Sequence, residues 1–165
     1  MVLYNKVTPF GSILNMAKEI SMTSSNHTVK DIEQTVILNA PIQKVWDYVS
    51  TPEGIEKWFM PNDFQAIVGH EFHIQSPFGP SPCKVLDIKK PHLISFSWDI
   101  DGWIVSFHLK EQGDQTEFTL VHGGWPSEDS LITKAKQKSS VVRDTMNNGW
   151  HGIVQQRLKK VVESL

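Results

Sequence analysis

The chain has one cysteine, Cys83, so it cannot close an intrachain disulfide and has no second thiolate for a metal site. That usage suits a reducing compartment, and a cytoplasmic location is the expectation. No apolar run approaches the roughly 18–20 residues that span a bilayer. Near the N-terminus, Lys6 precedes Val7–Leu14, but Pro9, Gly11 and Ser12 interrupt that stretch and no clear cleavage site follows, so it is not read as a signal peptide. Neither charge sign dominates. Sixteen Lys and Arg against eighteen Asp and Glu give a net charge of −2 and no basic field for nucleic acid. No glycine-rich loop leads from a strand into a helix, since Gly123-Gly124 run into Trp125-Pro126.

Metal and nucleophile patterns are also missing. His70 and His73 stand three apart on a predicted strand and face opposite sides, His108 points outward, and His151 lies beside the apolar stripe of its helix. Cys83 has no histidine close in sequence. Asp99 and Asp101 flank a hairpin turn, where acidic residues are ordinary. The expectation is therefore no metal and no cofactor.

What the chain does have is bulk: 39% hydrophobic residues, with six Trp and eight Phe in 165 residues, enough for one domain with a real core. Residues 1–29 lack clean periodicity and are expected to be a poorly structured extension, with the domain proper at 30–165. Ile32, Val36 and Leu38 share one strand face. Two short helices follow, each opened by a proline, Pro41 and Pro52, with Thr51 as the N-cap of the second.

Strand signals then recur. Phe64–Ile67 reads as a short strand, Phe72 and Ile74 alternate in the next, and 76–80 is turn material. Cys83–Lys89 lacks clean alternation, which suggests a bulge. Ile94, Phe96 and Trp98 share a face, as do Trp103, Val105, Phe107 and Leu109, and then Thr116, Phe118, Leu120 and His122. The short links at Asp101-Gly102 and Gln112-Gly113-Asp114 force antiparallel neighbours. Residues 127–140 read as a loop or short helix. From Val142 to Leu165 apolar residues step by three and four, making one long helix with Gly149 and Gly152 placed for close packing or a bend.

In order and spacing these elements resemble the START-like, or SRPBCC, helix-grip superfamily. Within it, the chain resembles the family named for the C-terminal domain of the activator of the heat-shock protein 90 ATPase. The residues that carry the resemblance are Ala40-Pro41 with Val45-Trp46, Thr51-Pro52-Glu53 with Lys57-Trp58-Phe59, Val68-Gly69-His70-Glu71-Phe72, Leu93–Trp98, Thr116–Gly124 and Gly149-Trp150. Val68-Gly69 stands where the family usually has a double glycine. The resemblance spans about residues 30–164. It implies an α+β, Bet v-like fold: a curved antiparallel sheet of six to seven strands wrapped around a long C-terminal helix, with two short helices after the first strand. It does not fix function, because this fold hosts carriers, enzymes and co-chaperone modules.

The expected site is a cavity between sheet and helix for a small hydrophobic or aromatic ligand. Its expected lining is Phe72, Ile74, Phe96, Trp98, Val105, Phe107, Phe118 and Leu120 from the sheet, with Trp150 and Val154 from the helix. His122, Trp58 and Trp125 stand at one end, and His122 is the polar residue that could anchor a ligand or move a proton. A filled core gives the same periodicity. Two alternatives stand beside this carrier: a co-chaperone-like interaction module with a chaperone-type protein partner, and a polyketide cyclase- or hydrolase-like enzyme using His122. The basic runs at Lys134, Lys136, Lys138 and at Arg157, Lys159, Lys160 read as a solvated face or as a docking patch for an acidic partner.

Overall fold

Apolar residues on alternate positions from Ile32 onward build a strand because only one face of the sheet meets the core. The structure, a computed structural model, describes residues 28–164. Residues 1–27, which hold nearly all of the expected extension, and Leu165 lie outside the described residues. Strand β1 (Ile32–Leu38) leads into two short helices, α1 (Ile42–Val49) and α2 (Pro52–Trp58). Pro41 is the N-cap of α1 and Pro52 the first residue of α2. The Thr51 hydroxyl caps α2, accepting from the Gly54 N–H at 3.0 Å. The helices meet at Gly54, where a Cβ would lie 2.7 Å from the Asp47 carbonyl oxygen.

Five strands follow: β2 (Glu71–Ser76), β3 (Gly79–Lys89), β4 (Leu93–Trp98), β5 (Trp103–Gln112) and β6 (Gln115–Gly123). The sheet is antiparallel throughout, in the order β1-β6-β5-β4-β3-β2. Register sets inward residues side by side, Val36 against Phe118, Phe107 against Leu120 and Phe96 against Val105. The bulge expected in Cys83–Lys89 falls in β3, between Val85 and Asp87.

Two expectations change. Phe64–Ile67 is not a strand, so the described sheet has six strands. Phe64 is a buried anchor whose ring meets Phe72 at 5.2 Å, while Ile67 and Val68 are exposed, so burial does not alternate there. Strand β3 also begins earlier than read, because Pro80 and Pro82 lie within it. They sit where β3 pairs with β2 but not yet with β4, whose pairing starts at Cys83. A proline is tolerated at such a half-open edge.

The C-terminal helix runs as α3 (Ser139–Gly152), a π-helical stretch (Ile153–Leu158) and α4 (Lys159–Glu163), with helical backbone at both joins. Nothing lies within 4 Å of a Cβ placed on Gly149 or Gly152, so these glycines do not serve close packing; the winding changes directly after Gly152. Side chains of this helix reach the open edge of β1. Gln155 Nε2 donates to the Thr35 carbonyl at 2.8 Å and Lys159 Nζ to that of Ile37 at 3.1 Å. Arg143 donates to the carbonyls of Lys30 and Asp31, both at 3.1 Å. On the far edge, the Gln75 N–H donates to the Pro61 carbonyl at 2.8 Å. Glu163 closes the end: its carboxylate accepts from Lys159 at 2.6 Å and from the Asn39 N–H at 2.7 Å. The Lys159 hydrogen bond holds the Glu163 carboxyl below its usual range.

The apolar stripe of the helix packs on the inner face of the sheet through Trp150, Val154, Leu158 and Val162, all buried. Trp150 stacks on Phe59 at 4.9 Å. Replacing Trp150 with alanine should cost about 3–5 kcal/mol in urea denaturation, as for a large ring removed from a filled core. A loss under about 1 kcal/mol would mean that the ring does not hold helix to sheet. Gly124 supplies a second test. Its φ is 76°, and a Cβ there would overlap the Gly102 carbonyl oxygen of the β4–β5 turn. Gly124→Ala should therefore lose about 1–3 kcal/mol or more of stability on thermal or urea melting.

Candidate functional site

The thirteen residues expected around a cavity fall into two packed groups. In the first, the Trp58 ring meets Phe107 at 5.4 Å and Phe118 at 6.0 Å, and Phe72 meets Phe96 at 5.4 Å. Ile74, Val105, Leu120 and Val154 are buried in the same core as these rings. A void of about 10 Å³ lies among Phe59, Phe64, Phe72 and Phe96, enough for about one water at most. The second group gathers at one end of the sheet. His122 lies 4.5 Å from Trp125 and 5.6 Å from Trp98, with Trp150 behind. Trp103 completes it, 4.9 Å from both His122 and Trp125. Trp103 is absent from the expected set, although its alternation with Val105 and Phe107 places it on the inner face.

An open volume lies beside this second group. A cleft of about 370 Å³ has Trp98 and Trp103 as its base, Val142 and Met146 of α3 on one side, and Ile132 and Ala135 of the 124–138 loop on another. Phe78, at the β2–β3 turn, forms its outer rim. Trp98 alone links the expected residues to this cleft. Ile132 could be noticed in the sequence as one of the few apolar residues of a polar loop, but only the fold brings that loop over the sheet end.

The polar part of the cleft is balanced. Asp99, whose side chain is 7% exposed, pairs with Lys134 at 3.2 Å and accepts from the Ser81 hydroxyl at 3.1 Å. Lys134 also donates to the Pro80 carbonyl at 3.0 Å. Asp101 accepts from the Thr133 hydroxyl at 2.7 Å. These contacts pin the loop across the sheet end. Within the basic runs, Lys138 pairs with Asp129 at the surface and Lys159 with Glu163.

His122 is fully buried, and burial lowers its pKa to about 3, so the ring is neutral near pH 7. Trp150 Nε1 donates to His122 Nδ1 at 3.0 Å, which places the remaining proton on Nε2. A neutral, sealed imidazole can donate a hydrogen bond but is a poor acid for turnover at neutral pH. Burial pushes the Cys83 thiol up to about 12, so it is not a thiolate nucleophile. His70 precedes β2 and does not lie on it, while His73 is an exposed residue of that strand. Among the described residues no group of three His, Cys, Asp or Glu could hold a metal ion. Among them, too, no helix is long and apolar enough to cross a membrane.

The sequence profile of the family described as Activator of Hsp90 ATPase homolog 1-like protein matches residues 39–163. No curated protein matches the chain. Among solved structures, protein BH1534 of Bacillus halodurans is 52% identical, covering 83% of this chain and 99% of its own, with a TM-score of 0.78. The Aha1 dimer from Colwellia psychrerythraea is 18% identical over 82% of this chain and 97% of its own, with a TM-score of 0.65. CalU16 from Micromonospora echinospora is 22% identical over 81% of this chain and 76% of its own, with a TM-score of 0.63. At such identities the last two share the fold alone.

The burial of His122 gives stability a pH dependence with a definite sign. Its folded pKa, about 3, lies below the ordinary 6.5, so in acid the unfolded chain takes up a proton that the folded chain refuses. The contribution is whole above pH 6.5 and is lost as pH falls toward 3. Between those limits it adds a slope of up to about 1.4 kcal/mol per pH unit. His122→Gln, which keeps an acceptor for Trp150, should flatten the fall measured by urea denaturation at pH 6 and pH 4.5. An unchanged slope would mean that the imidazole titrates in the folded state.

Proposed function

Since the chain belongs to the Activator of Hsp90 ATPase homolog 1-like family, we propose that it binds a small hydrophobic or aromatic molecule and does not transform it. The seat is the cleft at the end of the sheet. One observation carries the reading: an open volume of about 370 Å³ with tryptophan and aliphatic walls, a hydrogen-bonded polar cluster at Ser81, Asp99 and Lys134, and Ser76, Gln137 and Thr145 as its other polar lining. That size and lining suit a small-molecule site, where apolar walls supply affinity and a few polar groups set orientation. Covering those walls gains about 25 cal/mol per Å² of apolar surface. The ringed interior behind the cleft is its rigid support. The location we propose is cytoplasmic, on the cysteine usage given above.

A second reading, the co-chaperone-like interaction module, is favoured by Phe78, a cleft residue, and Leu131, next in sequence to the cleft residue Ile132, which are 73% and 64% exposed. A cyclase- or hydrolase-like reading has less support, because His122 is neutral and sealed behind the tryptophans.

An environment-sensitive apolar dye should bind the native protein saturably at one site. Ala135→Trp and Thr145→Trp, at half-buried and exposed positions on the cleft wall, should block the dye and leave the melting temperature nearly unchanged. Val105→Trp, in the filled interior, should instead lose about 1–3 kcal/mol. Unimpaired dye binding by both cleft variants would place the ligand elsewhere. No saturable binding by the native protein would leave the interaction module as the better reading.

A further inference from the structure

The aromatic cluster at the base of the cleft contains hydrogen-bond donors with nothing to receive them. Trp98 Nε1 and Trp103 Nε1 are buried and have no partner among the described residues. The two residues are 4% and 6% exposed, and both line the cleft. His122 Nε2 is a third unpartnered atom, and because Nδ1 accepts from Trp150 it carries a proton. The three rings touch one another, at 5.4 Å for Trp98 and Trp103 and 4.9 Å for Trp103 and His122. Other tryptophans of the protein are served: Trp58 donates to the Tyr48 carbonyl at 2.8 Å and Trp125 to that of His122 at 2.9 Å. Unpaired buried donors are rare and costly. Here three sit together, two on residues that line the cleft and the third, His122, directly behind them.

The chemistry of the missing partner follows from what surrounds it. A single water could accept from two of the donors at most, and these three side chains offer its own two hydrogens no acceptor in return. The nearby carboxylate, Asp99, is already engaged by Lys134, Ser81 and the Ile100 N–H. An anionic ligand would enter aromatic walls with the one lining cation, Lys134, already paired to Asp99. A neutral oxygen acceptor carries no such penalty.

We propose that the cleft selects planar aromatic molecules bearing a neutral carbonyl, such as a ketone, quinone or lactone, whose oxygen takes the indole N–H groups of Trp98 and Trp103 as the rings turn to admit it. This rests on the cleft being the ligand seat.

The test compares 9-fluorenone with fluorene, two probes of nearly the same shape that differ in one carbonyl. Affinity is read by displacement of the cleft-bound dye, and the indole N–H resonances of the native full chain are followed in parallel. Transfer from water alone favours fluorene. The expected result is that fluorenone binds about fivefold or more tightly, as one or two hydrogen bonds supply, and that the Trp98 and Trp103 N–H resonances move downfield with fluorenone only. Trp103→Phe keeps a ring and removes a donor, and should erase most of the preference. Equal binding, or tighter binding of fluorene with unmoved indole resonances, overturns the carbonyl inference and leaves the cleft reading standing. Binding of neither probe overturns both. Should Trp103→Phe not fold, the indole resonances of the native protein still decide.

Discussion

One helix has to cover one face of one sheet, and a tryptophan–histidine pair fixes how it does so. Trp150 brings its indole N–H to His122 Nδ1 at 3.0 Å, with Phe59 stacked beside it. The bond joins the middle of the helix to the end of β6. It determines the histidine tautomer, and it orients the ring that Trp98, Trp103 and Trp125 pack around. The phenylalanine-rich interior lies on one side of this junction and the cleft on the other. A buried neutral imidazole is costly to protonate, and here that cost keeps the junction in a single hydrogen-bonding arrangement at physiological pH.

The division between filled interior and open cleft has a simple origin. The strands supply large rings at adjacent inward positions, and rings 5–6 Å apart leave no room for a ligand among them. At the sheet end the partner is no longer a strand but the 124–138 loop. That loop contributes Ile132 and Ala135, and its polar ties to Asp99 and Asp101 hold it across the gap without filling it. Open space therefore remains where regular packing stops.

The sheet and long helix were legible because their periods of two and three to four reflect a single buried face. The bulge near Val85 could be anticipated from broken alternation. Where reading failed, a local signal competed with the fold. Pro80 and Pro82 look like turn residues, yet β3 accommodates them because β4 has not begun to pair there. Phe64–Ile67 has strand-like composition, but Phe64 is an isolated anchor under an exposed loop. The expected site residues do come together, and their inward direction was readable. Whether they enclose a void was not, since alternation reports which face is buried and not what fills it. The loop side of the cleft was invisible for a different reason: Ile132 and Ala135 carry no period, and only the chain path places them opposite Trp98 and Trp103.

The helix side chains that reach the carbonyls of β1 also bear on how the protein fails. A bare strand edge is a template for another chain. Here Gln155 and Lys159 occupy that template, and Arg143 binds the chain just ahead of it, so the edge is shielded only while the helix is docked. Partial detachment of the helix would uncover the apolar face and the free edge of β1 in one event, the combination from which cross-β assembly grows. Fidelity of helix docking is thus a guard against fibril nucleation as well as a source of folding energy.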